Sequence, residues 1–398
     1  MLNQKLIQKE YGFLGDEIFL NVSQVVMPPK RVQKAYESFM KNYVKAYGEG
    51  VVDTAWRIVE GCRQKLGTLV NAEHTHEIAF VKNTAEGMSI LASGYPLKPG
   101  DSVVIADQEH QSTLFPWINA HEQRGIELHV VKSVNGEIPT ESMVAAIDDT
   151  TKILVVSSAQ FSTGFMADLA ALGNACKEKG VIFAVDGIQT LGRIDLDVQA
   201  LGIDYLAAGS NKGLLGTLGC GFVYCSDRIV QKIIPPYAGY QTTVSHVSPP
   251  SITSDFERLE WYPHARRFES GNLSYNCINA LDKGVELLLE LGVKEIETHV
   301  LALEKYLRQQ IADIPLHVVQ PADAKYWSGI VCIYYPKNRD EEVVDILKRY
   351  QIHGTIRGGY IRLGIDFYNT EAQMDIVAQA LRDVADLINT ERKEEKTT

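Results

Sequence analysis

No run of about 18 or more apolar residues occurs in the 398-residue chain, so no helical membrane span is expected. The opening MLNQKLIQKEYGF lacks the apolar core of a secretory leader, and the expected location is the cytoplasm. Cysteine is sparse: six thiols stand at 62, 176, 220, 225, 277 and 332, none in a Cys-x-x-Cys pair. That excludes a disulfide scaffold and reads as reduced thiols in a core. Metal-ligand patterns are equally thin. His74 and His76 flank one Thr with no Cys or carboxylate pair beside them, so they read as a surface turn and no metal is expected. Positive charge is also in deficit, with 39 Lys and Arg against 50 Asp and Glu, a net charge of −11. An acidic surface is repelled by phosphates, which removes nucleic acid and anionic membranes as expected partners. No repeat with a period of roughly 20 to 50 residues appears.

Apolar residues, at 45%, and charged residues, at 22%, are those of an ordinary globular chain. At roughly 150 residues per domain the length suggests two or three domains. Seven short apolar runs follow one another: Ile78–Val81, Ser102–Ala106, Leu128–Val131, Ile153–Ser157, Val181–Asp186, Tyr205–Ala208 and Gly221–Cys225. Helical spacing lies between most of them, as in Leu169–Lys179 with Leu169, Leu172, Ala175 and Cys176 on one face. Continuous Val/Ile runs alternating with helices predict an α/β domain around a largely parallel sheet buried on both faces. After about residue 255 the pattern changes. Asn279–Leu291 and Val293–Ile311 read as helices, Leu316–Val319 and Ile330–Tyr335 as strands, and Glu371–Asn389 as a last helix. Pro249 and Pro250, with the polar stretch to Pro263, read as a hinge. The expected division is a large domain over 17–255, a small α+β domain from 1–16 with 256–390, and a solvated tail over 391–398.

The densest chemistry lies in Phe183–Leu218. Asp186 ends an apolar run before a Gly turn, with Gln189 three residues on; ligands collect at the carboxyl ends of strands in such sheets. Capping of the next helix is the other use of an aspartate there. Tyr205–Ala208 then runs into Gly209-Ser210-Asn211-Lys212-Gly213. A lysine among small residues past a buried strand is either an exposed cation or an amine in a partly desolvated pocket. In the second case its pKa falls and the neutral amine can attack a carbonyl. Lysine, an aspartate for a pyridinium nitrogen and small hydroxyls for a phosphate meet the needs of pyridoxal phosphate.

Asp186-Gly187-x-Gln189 followed by Ser210-Asn211-Lys212-Gly213-Leu214-Leu215-Gly216 resembles the class V aminotransferases, the superfamily that includes cysteine desulfurases and isopenicillin N epimerase-like proteins. The resemblance runs from about Phe19 to Thr370 and implies a fold-type-I pyridoxal phosphate enzyme, with a mostly parallel seven-stranded sheet in the large domain. It implies that Lys212 forms the internal aldimine and moves the α-proton, that Asp186 pairs with the pyridine nitrogen, and that Gln189 bonds the ring oxygen. Thr84 and Ala85, in Asn83-Thr84-Ala85-Glu86-Gly87, would meet the phosphate at a helix N-terminus, joined by Ser210. Asn272 takes the place of a residue that reaches the partner subunit's phosphate, which implies a homodimer with shared sites. His110, after Glu109, occupies the position that stacks on the cofactor ring. Arg362, in Tyr360-Ile361-Arg362-Leu363-Gly364, matches the arginine that binds the substrate's α-carboxylate. Arg357, Asn21 and the loop Tyr237–Thr242 are further candidates at the substrate end, a surface ion pair being the other reading of Arg357.

The sequence departs from the desulfurases chiefly at the catalytic cysteine. They carry a catalytic cysteine on a loop ahead of the carboxylate-binding arginine, whereas Gln351–Gly364 reads QIHGTIRGGYIRLG. Cys332 lies inside an apolar run and reads as core. Asn211 and Ala85 also replace residues common in relatives. The expectation is therefore carbon–sulfur lyase-like β-elimination on a cysteine derivative, with amino transfer to a keto acid or epimerization of a small L-amino acid as alternatives.

Overall fold

The computed structural model describes residues 2–46, 50–244, 259–319, 321 and 323–394. The seven apolar runs form one sheet. In space its order is Ile78–Val81, Gly221–Cys225, Tyr205–Gly209, Ile182–Asp186, Thr151–Ser157, Ser102–Ala106 and Glu127–Val131. Every strand except the edge Glu127–Val131 is almost wholly buried, which explains continuous Val/Ile runs in place of alternation. Four adjacent pairings are parallel, and Gly221–Cys225 runs antiparallel to both neighbours. The cause is the connection before it. Residues 210–220 contain no crossover helix, so the chain turns straight back beside Tyr205–Gly209. This places Lys212 on a tight loop at the carboxyl end of a central strand.

The later part of the chain builds a four-stranded antiparallel sheet, ordered Thr355–Ile356, Tyr360–Gly364, Ile330–Tyr334 and His317–Val318. Helices Val293–Gln310, Asp340–Arg349 and Glu371–Glu394 accompany it. The N-terminal segment joins this lobe: Ile18–Phe19 pairs in parallel with Ile352–His353, and the Leu20 carbonyl accepts from Gly364 N at 2.7 Å. Pro249 and Pro250, where a hinge is expected, lie outside the described residues. The last helix extends beyond Asn389 through Glu394, because Glu, Arg and Lys sustain a helix without an apolar face. Among the described residues no helix is long and apolar enough to cross a membrane.

Among the described helices of eight residues or more, four lack a counterpart in the periodicity reading: Gln4–Tyr11, Lys30–Lys45, Val51–Val70 and Asp340–Arg349. Lys30–Lys45 buries only Val32 and Ala35, too narrow a face to stand out in a sequence. His74 and His76 do lie at a turn, Thr75–Glu77, where His76 Nε2 meets Asp227 at 2.9 Å. Among the described residues no group of three His, Cys, Asp or Glu side chains is placed to hold a metal ion.

Candidate active site

The carboxyl ends of four neighbouring strands and the small-lobe hairpin enclose a cavity of about 540 Å³. Ser102–Ala106 leads to His110, Thr151–Ser157 to Phe161, Ile182–Asp186 to Gln189, and Tyr205–Gly209 to Lys212; all four side chains line the cavity. Thr355, Arg357 and Arg362 line it from the hairpin, and Ser23 and Gln24 from the N-terminal segment.

Lys212 Nζ has no hydrogen-bond partner among the described residues. Burial is the main force on its pKa, lowering it to about 8; Asp186 opposes the fall, and Arg362 and Arg193 add to it. The amine therefore has a substantial neutral fraction near neutrality. Asp186 is buried beside the cavity and does not line it. Its Oδ2 accepts from the Thr113 hydroxyl at 2.6 Å and its Oδ1 from Ile188 N at 3.0 Å. Burial raises its pKa, and these two bonds, followed by the charge of Lys212, oppose that rise.

His110 caps helix Gln111–Arg124: its Nδ1 accepts from Ser112 N at 3.1 Å. A backbone amide can only donate, so Nδ1 carries the lone pair and Nε2 the proton. Burial, and after it the charge of Lys212, lowers the imidazole's pKa and favours this neutral form. Its ring meets Phe161 edge-on, with centroids 4.9 Å apart. Glu109, next to it, is fully buried and accepts from Ser157 N and Gln160 Nε2, each at 2.9 Å, and from the Ser157 hydroxyl. Burial pushes its carboxyl up to about 7 against those bonds.

The hairpin sets the other wall. Thr355 pairs across the ladder with Arg362, and Arg357, two residues beyond Thr355, shares that face. Arg362 Nη1 donates to the Phe161 carbonyl at 2.8 Å and Nη2 to the Thr355 hydroxyl at 3.2 Å, leaving Nε buried without a partner. Burial lowers its pKa, yet a guanidinium stays charged. The turn at Gly358-Gly359 has φ of +61° and +79°, the two-residue geometry that glycine permits. Asp340 Oδ1 accepts from Gly359 N at 2.9 Å and Asp340 Oδ2 from Gly358 N, fixing the tip.

The remaining sequence candidates lie elsewhere. Asn21 does not line the cavity; its Oδ1 accepts from the Thr355 hydroxyl at 2.8 Å, behind the hairpin. Thr84, Ala85 and Ser210 also lie off the Lys212 cavity. The Thr84 hydroxyl accepts from Gly209 N at 2.9 Å, and Ser210 Oγ donates to the Thr217 carbonyl at 2.7 Å. Asn272 is exposed, bonds the Tyr240 hydroxyl at 2.8 Å, and lines a separate hollow of about 260 Å³ with Lys82, Glu86 and Ser270. Tyr240 draws the Tyr237–Thr242 loop towards Asn272. Sequence reasoning missed Thr113, Phe161, Thr355 and Ser23. Phe161 was within reach, since it follows the carboxyl end of a recognised strand.

The chain belongs to the aminotransferase class-V family, whose profile matches residues 24–377. Among curated relatives it is similar to a probable cysteine desulfurase of Methanothermobacter thermautotrophicus, 27% identical over 402 residues, covering 95% of this chain and 97% of the relative. Among solved structures it is similar to the apo cysteine desulfurase of Thermococcus onnurineus NA1, with a TM-score of 0.87, 22% identity and coverage of 97% and 98%. The cystine C–S lyase C-DES, solved with its reaction product cysteine persulfide, is similar with a TM-score of 0.84, 19% identity and coverage of 94% and 99%. At these identities the two structures establish the fold, an α/β architecture with a mostly parallel seven-stranded sheet.

Proposed function

We propose that the chain binds pyridoxal 5′-phosphate at Lys212 and cleaves the carbon–sulfur bond of a cysteine derivative by β-elimination, with no cysteine of its own taking up the sulfur. The observation that carries this reading is the chemistry of the cavity. An amine, an imidazole and a guanidinium converge there and no thiol does. Cys332 is fully buried with Sγ 3.1 Å from the Tyr360 hydroxyl, and burial pushes its thiol up to about 12. The relatives named as cysteine desulfurases and as a cystine C–S lyase support a sulfur amino acid as substrate.

The residues fit the cofactor. Gln189 Oε1, Ser23 Oγ and Arg362 Nε are buried polar atoms without partners, the demand a polar ligand would meet. At Gly209 a Cβ would stand 3.1 Å from Asn211 Oδ1 and 3.7 Å from Thr84 Oγ1, so glycine leaves open the space between them. The N–H groups of Thr84 and Ala85 lie in the first turn of helix Thr84–Gly94, where no helical carbonyl reaches them and an anion is favoured. Asp186 and Gln189 would hold the ring, with His110 above it and Ser210 near the phosphate. Asn272 stands apart from Lys212 within one chain, and a homodimer with shared sites would bring the partner's copy to the phosphate.

When bound, the cofactor supplies a sink for the electron pair left at the substrate's Cα. Arg362 holds the α-carboxylate and so sets which bond at Cα faces Lys212. Lys212 Nζ takes the Cα proton, as a base with pKa near the working pH does best. The Cβ–S bond breaks with its electron pair going to sulfur, and His110 Nε2–H is the proton at hand for it. Addition of water then releases pyruvate and ammonia.

The test is an amino-acid panel scored separately for keto acid, sulfide, ammonia and changed stereochemistry. Pyruvate and ammonia from L-cystine without a keto-acid acceptor is the expected result. Strict dependence on an acceptor would overturn it in favour of amino transfer, and changed stereochemistry alone in favour of epimerization. Borohydride reduction and peptide mapping check the cofactor: absence of a pyridoxyl group on Lys212 sinks the reading.

A further inference from the structure

Arg193 plays no part in the chemistry above, yet it is among the largest fully buried side chains, at 1% exposure. Its guanidinium donates in three directions. Nη1 reaches the Gln189 carbonyl at 3.2 Å, Nη2 the Ser328 carbonyl at 3.1 Å, and the Ile365 carbonyl receives Nε at 3.1 Å and Nη2 at 2.7 Å. Gln189 belongs to the large-lobe wall of the cavity. Ile365 directly follows the strand Tyr360–Gly364 that carries Arg362. One side chain thus bonds both walls.

Desolvating a cation is costly, and here burial pulls the guanidinium's pKa down while Asp366 and Glu304 oppose it. Three backbone carbonyls offset part of that cost, a geometry that the planar fork of arginine meets and a lysine does not. The Lys212 loop lies against the same side chain. A Cβ at Gly213 would stand 3.0 Å from Arg193 Cγ and 2.3 Å from the Leu191 carbonyl, so only glycine allows that approach. The charge of Arg193 also acts on Lys212, adding to Arg362 in disfavouring its protonated form.

We propose that Arg193 is a positioning residue: it locks the small-lobe strand bearing Arg362 against the turn bearing Gln189 and the loop bearing Lys212, so that carboxylate clamp and base meet one substrate at a fixed separation. Its catalytic meaning rests on the proposed function, while the lock itself does not.

The experiment compares Arg193→Lys and Arg193→Met with wild type, each purified with pyridoxal phosphate. In R193K the charge stays and the fork is lost. Its KM for L-cystine rises at least about tenfold with a smaller change in kcat, and the pH midpoint of the bound cofactor's absorbance is unchanged. In R193M the KM rises likewise and the midpoint moves up, because one cation opposing protonation of Lys212 is gone. Hydrogen exchange needs neither cofactor nor substrate: amides of Tyr360–Gly364 exchange faster in both variants, while Glu127–Val131 at the far edge of the sheet is unaffected. A chain that never loads the cofactor sinks the proposed function and leaves this exchange difference as the test of the lock. Unaltered exchange in Tyr360–Gly364, or a lowered Tm with KM and midpoint at wild-type values, would overturn the proposal. Failure of both variants to fold marks Arg193 as purely structural and overturns it too.

Discussion

The two walls of the cavity are built differently. The large-lobe wall is the end of a buried parallel sheet: Gln189 and Lys212 each follow an apolar strand within a few residues, His110 caps the helix after another, and Asp186, the last residue of its strand, lies buried just behind. The small-lobe wall is a two-residue hairpin whose inner face offers Thr355, Arg357 and Arg362. Arg362 is buried and bonded, whereas Arg357 is exposed near the turn. On the proposed chemistry the buried floor supplies a base and a proton, and the hairpin supplies the cations that hold a carboxylate. The division teaches that chemistry and recognition can be altered separately, and substitutions on each wall should produce different kinetic signatures.

The largest effect is expected on the floor. Lys212→Ala should lower kcat by about a thousandfold or more, since it removes the general base and the attachment point together; steady-state turnover of L-cystine checks it. Next is pH. The Lys212 amine is lowered to about 8 and reacts only when neutral, so cofactor uptake by the apoprotein should rise with pH and level off above that value. Between pH 6 and 8 the rate should rise about fiftyfold, following the neutral fraction; stopped-flow absorbance reads it, and a midpoint near the ordinary lysine value would break the desolvation argument. On the other wall, Arg362→Ala should raise KM about thirtyfold with kcat little changed, the loss expected for a charged hydrogen bond of about 2 kcal/mol. Equal losses in kcat and kcat/KM would blur the two walls into one. The smallest effect falls on the support behind Arg362. Thr355→Ala removes the acceptor of Nη2 and should raise KM about fivefold, corresponding to about 1 kcal/mol.

The same contrast governs what the sequence reveals. The floor is legible because a strand buried on both faces must be continuously apolar, so a polar residue at its end stands out, as Asp186 does. Lys212 stands out among glycines for the same reason. The hairpin wall is less legible, since its strands are two and five residues long and its register depends on Gly358-Gly359. Arg193 was invisible. In Arg193-Ile194-Asp195-Leu196-Asp197 it looks like a surface charge, and two of its three carbonyl partners come from residues 328 and 365, far along the chain. Burial created by distant chain leaves no local mark. Helix Lys30–Lys45 escaped by the opposite route, having almost no buried face to reveal it.

The brevity of the Gly358-Gly359 turn, held at its tip by Asp340, has a consequence for where sulfur goes. A connection of two residues provides no arm that could swing a nucleophile over the mouth of the cavity and carry a sulfur atom outward on the protein. On the proposed chemistry the sulfur product must depart by diffusion, as a free small molecule. Its fate is then set by whatever thiols the surrounding solution offers, and a dedicated acceptor protein docked at this rim would have nothing to receive.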